Sequence, residues 1–468
     1  MARAVRDREI SPVELVRDHI ERAETVNLAL NAIVLPRFEE ALEEARAAER
    51  ALMNGAELGP LHGVPYTAKE CIEVAGMPCC DASKIFEGAV STQDAVVVES
   101  LREAGAILLG KTNIPEFASH YDSNNLVYGA TLNPHDRSRS VGGSSGGEAA
   151  ALASGMSAFG IGSDYGGSIR VPCHFCGVVG IKPGPGVVPY AGHFPPQHPV
   201  SIQRWSMIGP MARYVEDLEL LLPIFARPNL ARDSGVVGRT FEPDAADGLR
   251  VAVFTDDGLV PVDEDCRRAA RLAAEALSER GHSVVEERPP VQAEVRAAFE
   301  AVALAETAAM LVPFIGDRMG ELSPQIARLL ERTTSADLSL ALYLGRMVEV
   351  TELQHVVYAW LERHPIAISP IAALPAFPVG TETLMVDGRE VDEIDFFSLA
   401  TYVNAMALPA AAVPVTRTEG GLPVAVQVIG RRGREMQVLA VARQLEEALG
   451  GWVDPDVAAV GAGPRTAA

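Results

Sequence analysis

A serine follows two glycines in the segment GSDYGGSIRVP, residues 162–172, where it is numbered Ser168. Glycine has no side chain, so the backbone there can present a hydroxyl group to a substrate carbonyl. A serine hydroxyl is a weak nucleophile at its ordinary pKa and needs a base. The segment contains no histidine, so a base for Ser168 has to come from another part of the chain.

Lys69, in the segment GVPYTAKECIEV, is a candidate for that base. A neutral lysine can take a proton from serine, as in the Ser-Lys variants of the catalytic triad. A lysine that is mostly neutral near pH 7 needs a pKa roughly 3 units below its reference value, which costs about 4 kcal/mol. Burial among apolar neighbours can supply that shift. The alternative for any single lysine is a solvated surface charge.

Two more serines, Ser144 and Ser145, lie in the glycine-rich run SVGGSSGGEAAALASG, residues 140–155. The run matches G-x-S-x-G on each serine, which is the nucleophile-elbow pattern of the α/β-hydrolases. An elbow follows a buried strand, whereas the preceding residues NPHDRSRS are polar and typical of a turn. The elbow is therefore disfavoured, and a glycine- and serine-rich surface loop stays open as an alternative to a catalytic loop.

Other side chains near the candidate nucleophile are of types that can bind a metal or form an ion pair. Cys173, His174 and Cys176 are ligand-type residues, but a zinc site needs four ligands and no second cluster has matching spacing. We therefore expect no metal at these residues. Asp164 and Arg170 flank the nucleophile turn, and we expect them to form a structural ion pair that braces it.

The segments that carry these residues alternate between predicted helices and strands. SPVELVRDHIERAETV begins with a capping box on Ser11 and Glu14, and residues 38–53 predict a second helix. Lys69 falls on a short strand, and DAVVVESLREAGAILLGKTN predicts a helix, a turn and a buried strand. GEAAALASGM predicts a helix and SAFGIGSD a strand. The same alternation continues after residue 225 in GLRVAVFTDDG, DEDCRRAARLAAEALSERGH and SVVEERPP, so we expect an α/β fold.

The composition disfavours several classes of binding partner. The chain has 468 residues, of which 48% are hydrophobic, and a net charge of -22, which disfavours nucleic acid and anionic membranes. No apolar run reaches the ~20 residues of a membrane span. The six cysteines are typical of thiols in a reducing compartment, and the N-terminus lacks the apolar stretch of a signal peptide. We expect a cytoplasmic protein.

Several runs of the sequence resemble the amidase signature family. GGSSGGEAAALASG through GSDYGGSIRVPCHFCGVVGIKP is similar to its signature segment, and LHGVPYTAKE to its lysine segment. Other similar runs are GKTNIPEFAS, LVYGATLNPHD, GPMARYVEDLELLL and LPAAAVPVTRTEGGLPVAVQVIG. Lys69 and Ser144 are 75 residues apart, and Ser144 and Ser168 are 24 apart, as in family members. The signature region is most similar to fatty-acid-amide-hydrolase-like bacterial amidases.

The resemblance implies a fold and a reaction. It implies one amidase domain over residues 1–468, with a signature core at about 60–215 and a more variable segment at about 225–390. The expected α/β fold has a large mixed central β-sheet flanked by α-helices on both faces. The expected enzyme is an amidohydrolase that cleaves a carboxylic amide C–N bond without a metal or cofactor. Its partner would be a small-molecule amide, and a homodimer is an open alternative.

The resemblance also implies the catalytic roles. Ser168 matches the nucleophile, which would form the acyl-enzyme. Ser144 matches the serine after a cis peptide bond, which relays the proton, and Lys69 matches the terminal base. Ser145 is expected to support Lys69 or Ser144 through a hydrogen bond.

Substrate contacts are implied by the same resemblance. The backbone N–H groups of Tyr165, Gly166, Gly167 and the nucleophile itself would hold the oxyanion. The backbone at Ala118 matches a substrate-contacting position. The family usually has Thr where this chain has Tyr165, and a bulky ring can narrow the acyl pocket.

Two alternatives remain at this point. One is the glutaminase (A) subunit of a tRNA-dependent amidotransferase, which has the same triad and works in a complex. The other is a catalytically silent family member that acts as a binding protein. The identity of the amide depends on loops at 117–130, 186–206 and 305–380, where the family pattern is loosest.

Overall fold

The chain folds around one large β-sheet. The computed structural model describes residues 1–196, 199–226, 241, 244–335 and 339–457, so parts of two of the expected substrate loops lie outside the described residues. The described strands are β1 Ile33–Pro36, β2 Pro65–Lys69, β3 Ile107–Thr112, β4 Asn124–Asn125, β5 Gly129–Ala130, β6 Phe159–Asp164, β7 Val179–Lys182, β8 Met207–Ala212, β9 Arg250–Val253, β10 Ser283–Glu286, β11 Ile366–Pro370, β12 Leu384–Val386, β13 Arg389–Val391, β14 Ala410–Arg417 and β15 Pro423–Gly430.

Helices connect most of these strands. The described α-helices are α1 Ala2–Arg6, α2 Pro12–Leu30, α3 Phe38–Met53, α4 Val96–Glu103, α5 Gly146–Ala153, α6 Arg170–Cys176, α7 Val200–Trp205, α8 Val215–Phe225, α9 Glu264–Glu279, α10 Gln292–Ile315, α11 Pro324–Ser335, α12 Leu340–Arg363, α13 Glu393–Phe396, α14 Ser398–Ala405 and α15 Glu435–Leu449. The helices and strands that the sequence predicts are present, and Ser11 forms both hydrogen bonds of the capping box at the start of α2.

Eleven of the described strands form one mixed sheet, in the order β1-β3-β2-β6-β8-β7-β14-β15-β11-β9-β10. Strand β2 runs parallel to β3 and β6, and β9 runs parallel to β10 and β11. The other neighbouring pairs are antiparallel. The sheet takes strands from both the signature core and the variable segment. The expected α/β fold with a large mixed sheet is confirmed.

Both faces of the sheet are covered by helices. Successive side chains of a strand point to opposite faces, and in β15 Val424 and Val426 pack in one hydrophobic cluster while Ala425 packs in another. The first cluster contains side chains of α4, α8, α9 and α15. The second contains side chains of α2, α5 and α6. The sheet therefore separates two cores.

Helix α10 is long and apolar enough, by length and composition alone, to cross a membrane. A core helix of a globular domain passes the same test. Val295, Ala298 and Val302 of α10 are buried in the first hydrophobic cluster, and Glu306 on the same helix is also buried. We therefore interpret α10 as a helix that packs on the core along one face.

A buried carboxyl group connects α5 to the strand that ends at Lys69. Glu148 of α5 accepts hydrogen bonds from Thr67 of β2 and, at 2.9 Å, from Thr112 of β3. Burial raises the pKa of Glu148 to about 8, although both hydrogen bonds lower it. Gly160 of β6 leaves the space that this carboxyl needs, because a Cβ there would lie 1.8 Å from Glu148 Oε1.

The raised pKa makes part of the stability depend on pH. Unfolded Glu148 ionises near 4.5, whereas the folded carboxyl keeps its proton up to about 8. Its contribution to the free energy of unfolding is therefore full below pH 4.5 and is lost as the pH rises through the folded pKa. Glu148→Gln cannot ionise, so we expect the melting temperature of the variant to improve relative to wild type as the pH rises from about 5 to about 8.

The measurement is differential scanning fluorimetry across that pH range. The control is Glu43→Gln, since Glu43 is exposed on α3. A difference between wild type and Glu148→Gln that stays constant with pH would contradict a buried, protonated Glu148.

Candidate active site

Lys69 ends strand β2 in the interior of the sheet and is fully buried. Its Nζ lies 2.6 Å from Ser144 Oγ and 2.8 Å from Ser163 Oγ. Burial lowers the pKa of Lys69, although nearby acidic groups oppose this effect. The surface-charge alternative is therefore wrong, and the amine is placed to exchange a proton with a serine hydroxyl.

The glycine-rich run brings Ser144 to Lys69. The Gly143–Ser144 peptide bond is cis, and Ser144 is only 1% exposed. A Cβ at Gly143 would lie 2.4 Å from the His120 carbonyl oxygen, so the loop packs too closely for any side chain there. Residues 140–153 are buried throughout. The surface-loop alternative is therefore wrong for this run.

Ser168 lies on the turn between β6 and α6 and is 7% exposed. The Ser145 N–H donates to the Ser168 carbonyl oxygen at 3.1 Å, which joins the two serine-bearing loops. The Ser145 hydroxyl lies 3.3 Å from both the N and the O of Ser163. Ser145 thus bonds to the backbone of Ser168 and Ser163, and the expected hydrogen bond to Lys69 or Ser144 is replaced by these contacts. The reason is that the N-terminal end of α5 places Ser145 against β6.

A buried ion pair braces the turn that carries Ser168. Arg170 donates to both carboxylate oxygens of Asp164, with two contacts of 3.0 Å, and neither side chain is exposed to solvent. Burial alone would raise the pKa of Asp164, but the Arg170 guanidinium holds it well below its usual range. Arg170 also donates to Gln427 of β15 at 2.6 Å and to Asn404 of α14 at 2.5 Å. The turn is therefore anchored to the C-terminal third of the chain.

The brace uses one of the expected oxyanion donors. The Gly167 N–H donates to Asp164 Oδ1 at 2.8 Å, so in this structure it is engaged inside the protein. Gly167 has φ +113°, and a Cβ there would lie 2.8 Å from Ala400 Cβ. Tyr121 donates to the Gly166 carbonyl oxygen at 3.2 Å. Hydrogen bonds within the protein thus fix the turn at both Gly166 and Gly167.

Two cavities meet at Ser168. The inner cavity is lined by Ser144, Ser163 and Ser168 together with Phe117, Tyr190 and Phe194. The outer cavity is lined by Gly166 and Ser168 and by the exposed charged residues Arg328 and Glu382. Ala118 and Tyr165 line both cavities. A substrate bound across this junction would place its reacting carbonyl at Ser168.

Tyr165 stands at the wall between the two cavities. Its hydroxyl lies 3.2 Å from Ser201 Oγ, and its ring centroid lies 5.4 Å from that of Phe299 on α10. Ala118 has φ +51° and the preceding Phe117 has φ +55°, which is an unusual conformation for residues other than glycine. Tyr165 and Ala118, for which the resemblance implies substrate contacts, thus both line the cavities at Ser168.

Sequence reasoning missed two residues behind Lys69. Ser163 contacts the lysine amine and also lies 2.9 Å from His193 Nε2. His193 Nε2 lies 3.4 Å from Cys71 Sγ. Ser163 could have been suspected as a polar residue one position before Asp164 on a buried strand. His193 lies in a proline- and glycine-rich loop, and nothing in its local sequence distinguishes it.

The ligand-type residues after Ser168 have structural partners. His174 Nδ1 accepts from the Ala425 N–H at 2.8 Å, and its Nε2 lies 3.1 Å from the Leu374 carbonyl oxygen. Cys173 and Cys176 are buried and unpaired. Among the residues that the structure describes, no three His, Cys, Asp or Glu side chains are grouped as metal ligands.

Comparison with known proteins assigns the chain to a family. Residues 14–439 match the family described as Amidase. The chain is 33% identical over 470 residues to an acylamidase of Rhodococcus erythropolis, covering 97% of this chain and 95% of the relative. It is 33% identical over 484 residues to the A subunit of glutamyl-tRNA(Gln) amidotransferase from Nitratidesulfovibrio vulgaris, covering 95% of this chain and 96% of the relative.

A solved structure described as an amidase has a TM-score of 0.86 to this chain at 30% identity, covering 96% of this chain and 99% of that one. The matches extend over nearly the full length of each protein. The expected enzyme class, an amidohydrolase acting on carboxylic amide C–N bonds, is confirmed. The chain therefore belongs to the amidase family.

Proposed function

We propose that this amidohydrolase works through Ser168 as nucleophile, Ser144 as proton relay and Lys69 as base. The observation that carries the proposal is the buried Lys69 amine, whose pKa is lowered by burial and which lies 2.6 Å from Ser144 Oγ. A neutral amine in this position can accept a proton, which a solvated lysine cannot do near neutral pH.

The proton moves in two linked steps. Ser144 gives its proton to Lys69 Nζ and takes one from Ser168, whose oxygen attacks the amide carbonyl carbon. The C–N bond then breaks as the proton returns through Ser144 to the leaving amine. Water attacks the resulting ester on Ser168 and gives a proton to the relay, which passes a proton to the Ser168 oxygen as its bond to the acyl carbon breaks and the carboxylic acid is released. This sequence restores all three side chains.

The turn before the nucleophile stabilises the tetrahedral oxyanion. Because the Gly167 N–H is engaged by Asp164, we assign the oxyanion to the backbone N–H groups of Tyr165, Gly166 and Ser168. Fixed donors of this kind need no reorganisation as the charge develops. The Asp164–Arg170 pair supports the reaction by holding the turn and does not touch the substrate.

A glutaminase subunit of a tRNA-dependent amidotransferase is the second candidate. It is favoured by the 33% identity to such a protein over 95% of the chain. It would require partner subunits and would release ammonia from glutamine. Ammonia release from glutamine by the isolated chain, together with co-purifying subunits, would make this function the better one. The intact Lys69–Ser144 contact argues against a catalytically silent binding protein.

The proposed location and domain organisation of the enzyme rest on its cysteines and on its main sheet. We propose a cytoplasmic enzyme, because its six cysteines are all buried free thiols, a state that suits a reducing compartment. We propose one amidase domain over residues 1–468, because the main sheet joins strands from both parts of the chain. Its partner is a small-molecule amide.

Replacement of the nucleophile should abolish turnover. In Ser168→Ala no acyl-enzyme can form, so we expect amide hydrolysis to fall by at least about a thousandfold. A small fluorophosphonate should add once to wild type and not to Ser168→Ala, as measured by intact-protein mass spectrometry. The control is Ser157→Ala, because buried Ser157 donates only to the nearby Phe159 carbonyl oxygen, at 2.7 Å. A Ser168→Ala enzyme with near-normal activity would identify a different nucleophile.

The base should be visible in the pH dependence. Lys69 must be neutral to accept a proton, and burial lowers its pKa from 10.5. We therefore expect kcat/KM to rise with pH and to level off well below the pH at which an ordinary lysine titrates. Lys69→Ala should remove most of the activity, with partial recovery at high pH where hydroxide can replace the base. The readout is the pH–rate profile of both proteins, and an unchanged profile in Lys69→Ala would exclude Lys69 as the base.

A further inference from the structure

The inner cavity contains a buried carboxyl group that the proposed mechanism does not use. Asp81 lines this cavity together with Ser144, Ser163 and Ser168. It is 2% exposed, and its Oδ1 is buried without a hydrogen-bond partner. A buried polar atom without a partner is costly, and in native proteins most such atoms are paired. The site therefore contains an acceptor that a ligand can satisfy.

The backbone holds Asp81 in this position. Asp81 and Ala82 have φ of +53° and +50°, in the left-handed region, which residues other than glycine rarely adopt. Such conformations persist where the surrounding structure fixes them, often at ligand sites. The Phe117 N–H donates to the Asp81 carbonyl oxygen at 2.8 Å. This bond links the Asp81 turn to the turn of Phe117 and Ala118, which also line the inner cavity.

The described lining of the inner cavity contains two carboxyl groups, Asp81 and Glu306, and no lysine or arginine. Glu306 is already satisfied, because it accepts from both the N–H and the hydroxyl of Ser201 and, at 2.6 Å, from the hydroxyl of Tyr343. Of these two carboxyl groups in the described lining, Asp81 is therefore the one with an oxygen left to accept from a substrate. A carboxyl group that can ionise favours a hydrogen-bond donor that carries positive charge.

We propose that Asp81 is a specificity-determining residue, and that its unpartnered oxygen accepts a hydrogen bond from an ammonium group on the amide substrate. The preferred substrates are then amides with a positively charged amino group on the part of the molecule that enters the inner cavity. Aromatic side chains, Phe117 and Phe194 among them, line the path of this group, and a cation over an aromatic face is a favourable contact. The inference rests on the proposed function of Ser168 as nucleophile.

The protonation of Asp81 is consistent with such a role. Burial raises its pKa well above the usual value, and Glu70 and Glu116 raise it further, while Lys69 and Lys111 oppose them. Burial thus favours the neutral carboxyl group over an isolated buried charge. An entering ammonium group favours the carboxylate, so the Asp81 proton leaves to solvent as the ion pair forms.

The test compares substrates that differ only by an ammonium in place of a methyl group. One pair varies the acyl part, with the para-nitroanilides of β-alanine and butanoic acid. The second pair varies the amine part, with the para-nitrobenzoyl amides of ethylenediamine and propylamine. We measure kcat/KM for each compound and form the ammonium-to-methyl ratio within each pair. In wild type this ratio should exceed one in at least one pair.

Asp81→Asn keeps the shape of the side chain and removes the charge. We expect it to lower the ammonium-to-methyl ratio of that pair by about tenfold or more. The matched control is Glu116→Gln, because Glu116 is a buried acid on the neighbouring turn whose two oxygens accept from Ser83 at 2.6 Å and Ser323 at 2.7 Å. This control should keep the wild-type ratio.

Three results would overturn the proposal. The first is a wild-type enzyme with no preference for the ammonium compound in either pair. This result does not depend on whether a variant folds. The second is an Asp81→Asn enzyme with an unchanged ratio. The third is an Asp81→Asn enzyme whose kcat/KM falls equally for both members of a pair and whose pH profile is shifted. This would mean that Asp81 acts through Lys69. Failure of the nucleophile assignment is distinguishable, because Ser168→Ala would then still hydrolyse these compounds.

Discussion

The arrangement of the active site depends on the burial of one lysine side chain. Lys69 can act as a base only if its amine is neutral, and burial at the end of a central strand favours the neutral form. The amine nevertheless needs polar partners, since an unsatisfied buried amine would cost stability. Ser144 and Ser163 supply them at 2.6 Å and 2.8 Å. These two serines lie on different segments, so the lysine site requires the glycine-rich loop and strand β6 to meet at β2.

The nucleophile turn depends on a second buried group, the Asp164–Arg170 pair. Buried ion pairs contribute little net stability, but loss of one partner leaves an uncompensated charge. Here the pair forms further hydrogen bonds with Gln427 and Asn404, more than two hundred residues away in the sequence. The geometry of the signature segment is therefore completed by the C-terminal strands and α14. This explains why the active-site residues, although clustered in the first half of the chain, need the whole sheet.

The sequence was sufficient to predict the features that are local. Glycine-rich runs identified the loops at Ser144 and Ser168, and helix and strand patterns predicted the α/β fold. The apolar neighbours of Lys69 allowed its burial, and the resemblance to the family selected it as the base. Features that depend on distant contacts were not accessible. The hydrogen bonds of Ser145 go to the backbone of Ser163 and Ser168, because α5 docks against β6, and sequence position alone could not choose between these atoms and its neighbour Ser144. His193 reaches Ser163 from a loop thirty residues away, where no periodic pattern constrains the backbone.

The chemistry and the selectivity of this site lie on different parts of the chain. The proposed reacting groups are on β2, on the loop before α5 and on the turn after β6, all of which are held by the buried sheet. The walls of the inner cavity come from the turns at Asp81 and Phe117 and from helix α10. A side chain at the cavity wall can change while the bond between the two turns stays, because that bond joins backbone atoms, the Phe117 N–H and the Asp81 carbonyl oxygen. Substrate preference can therefore vary at Asp81 while the amide-hydrolysing groups stay in place.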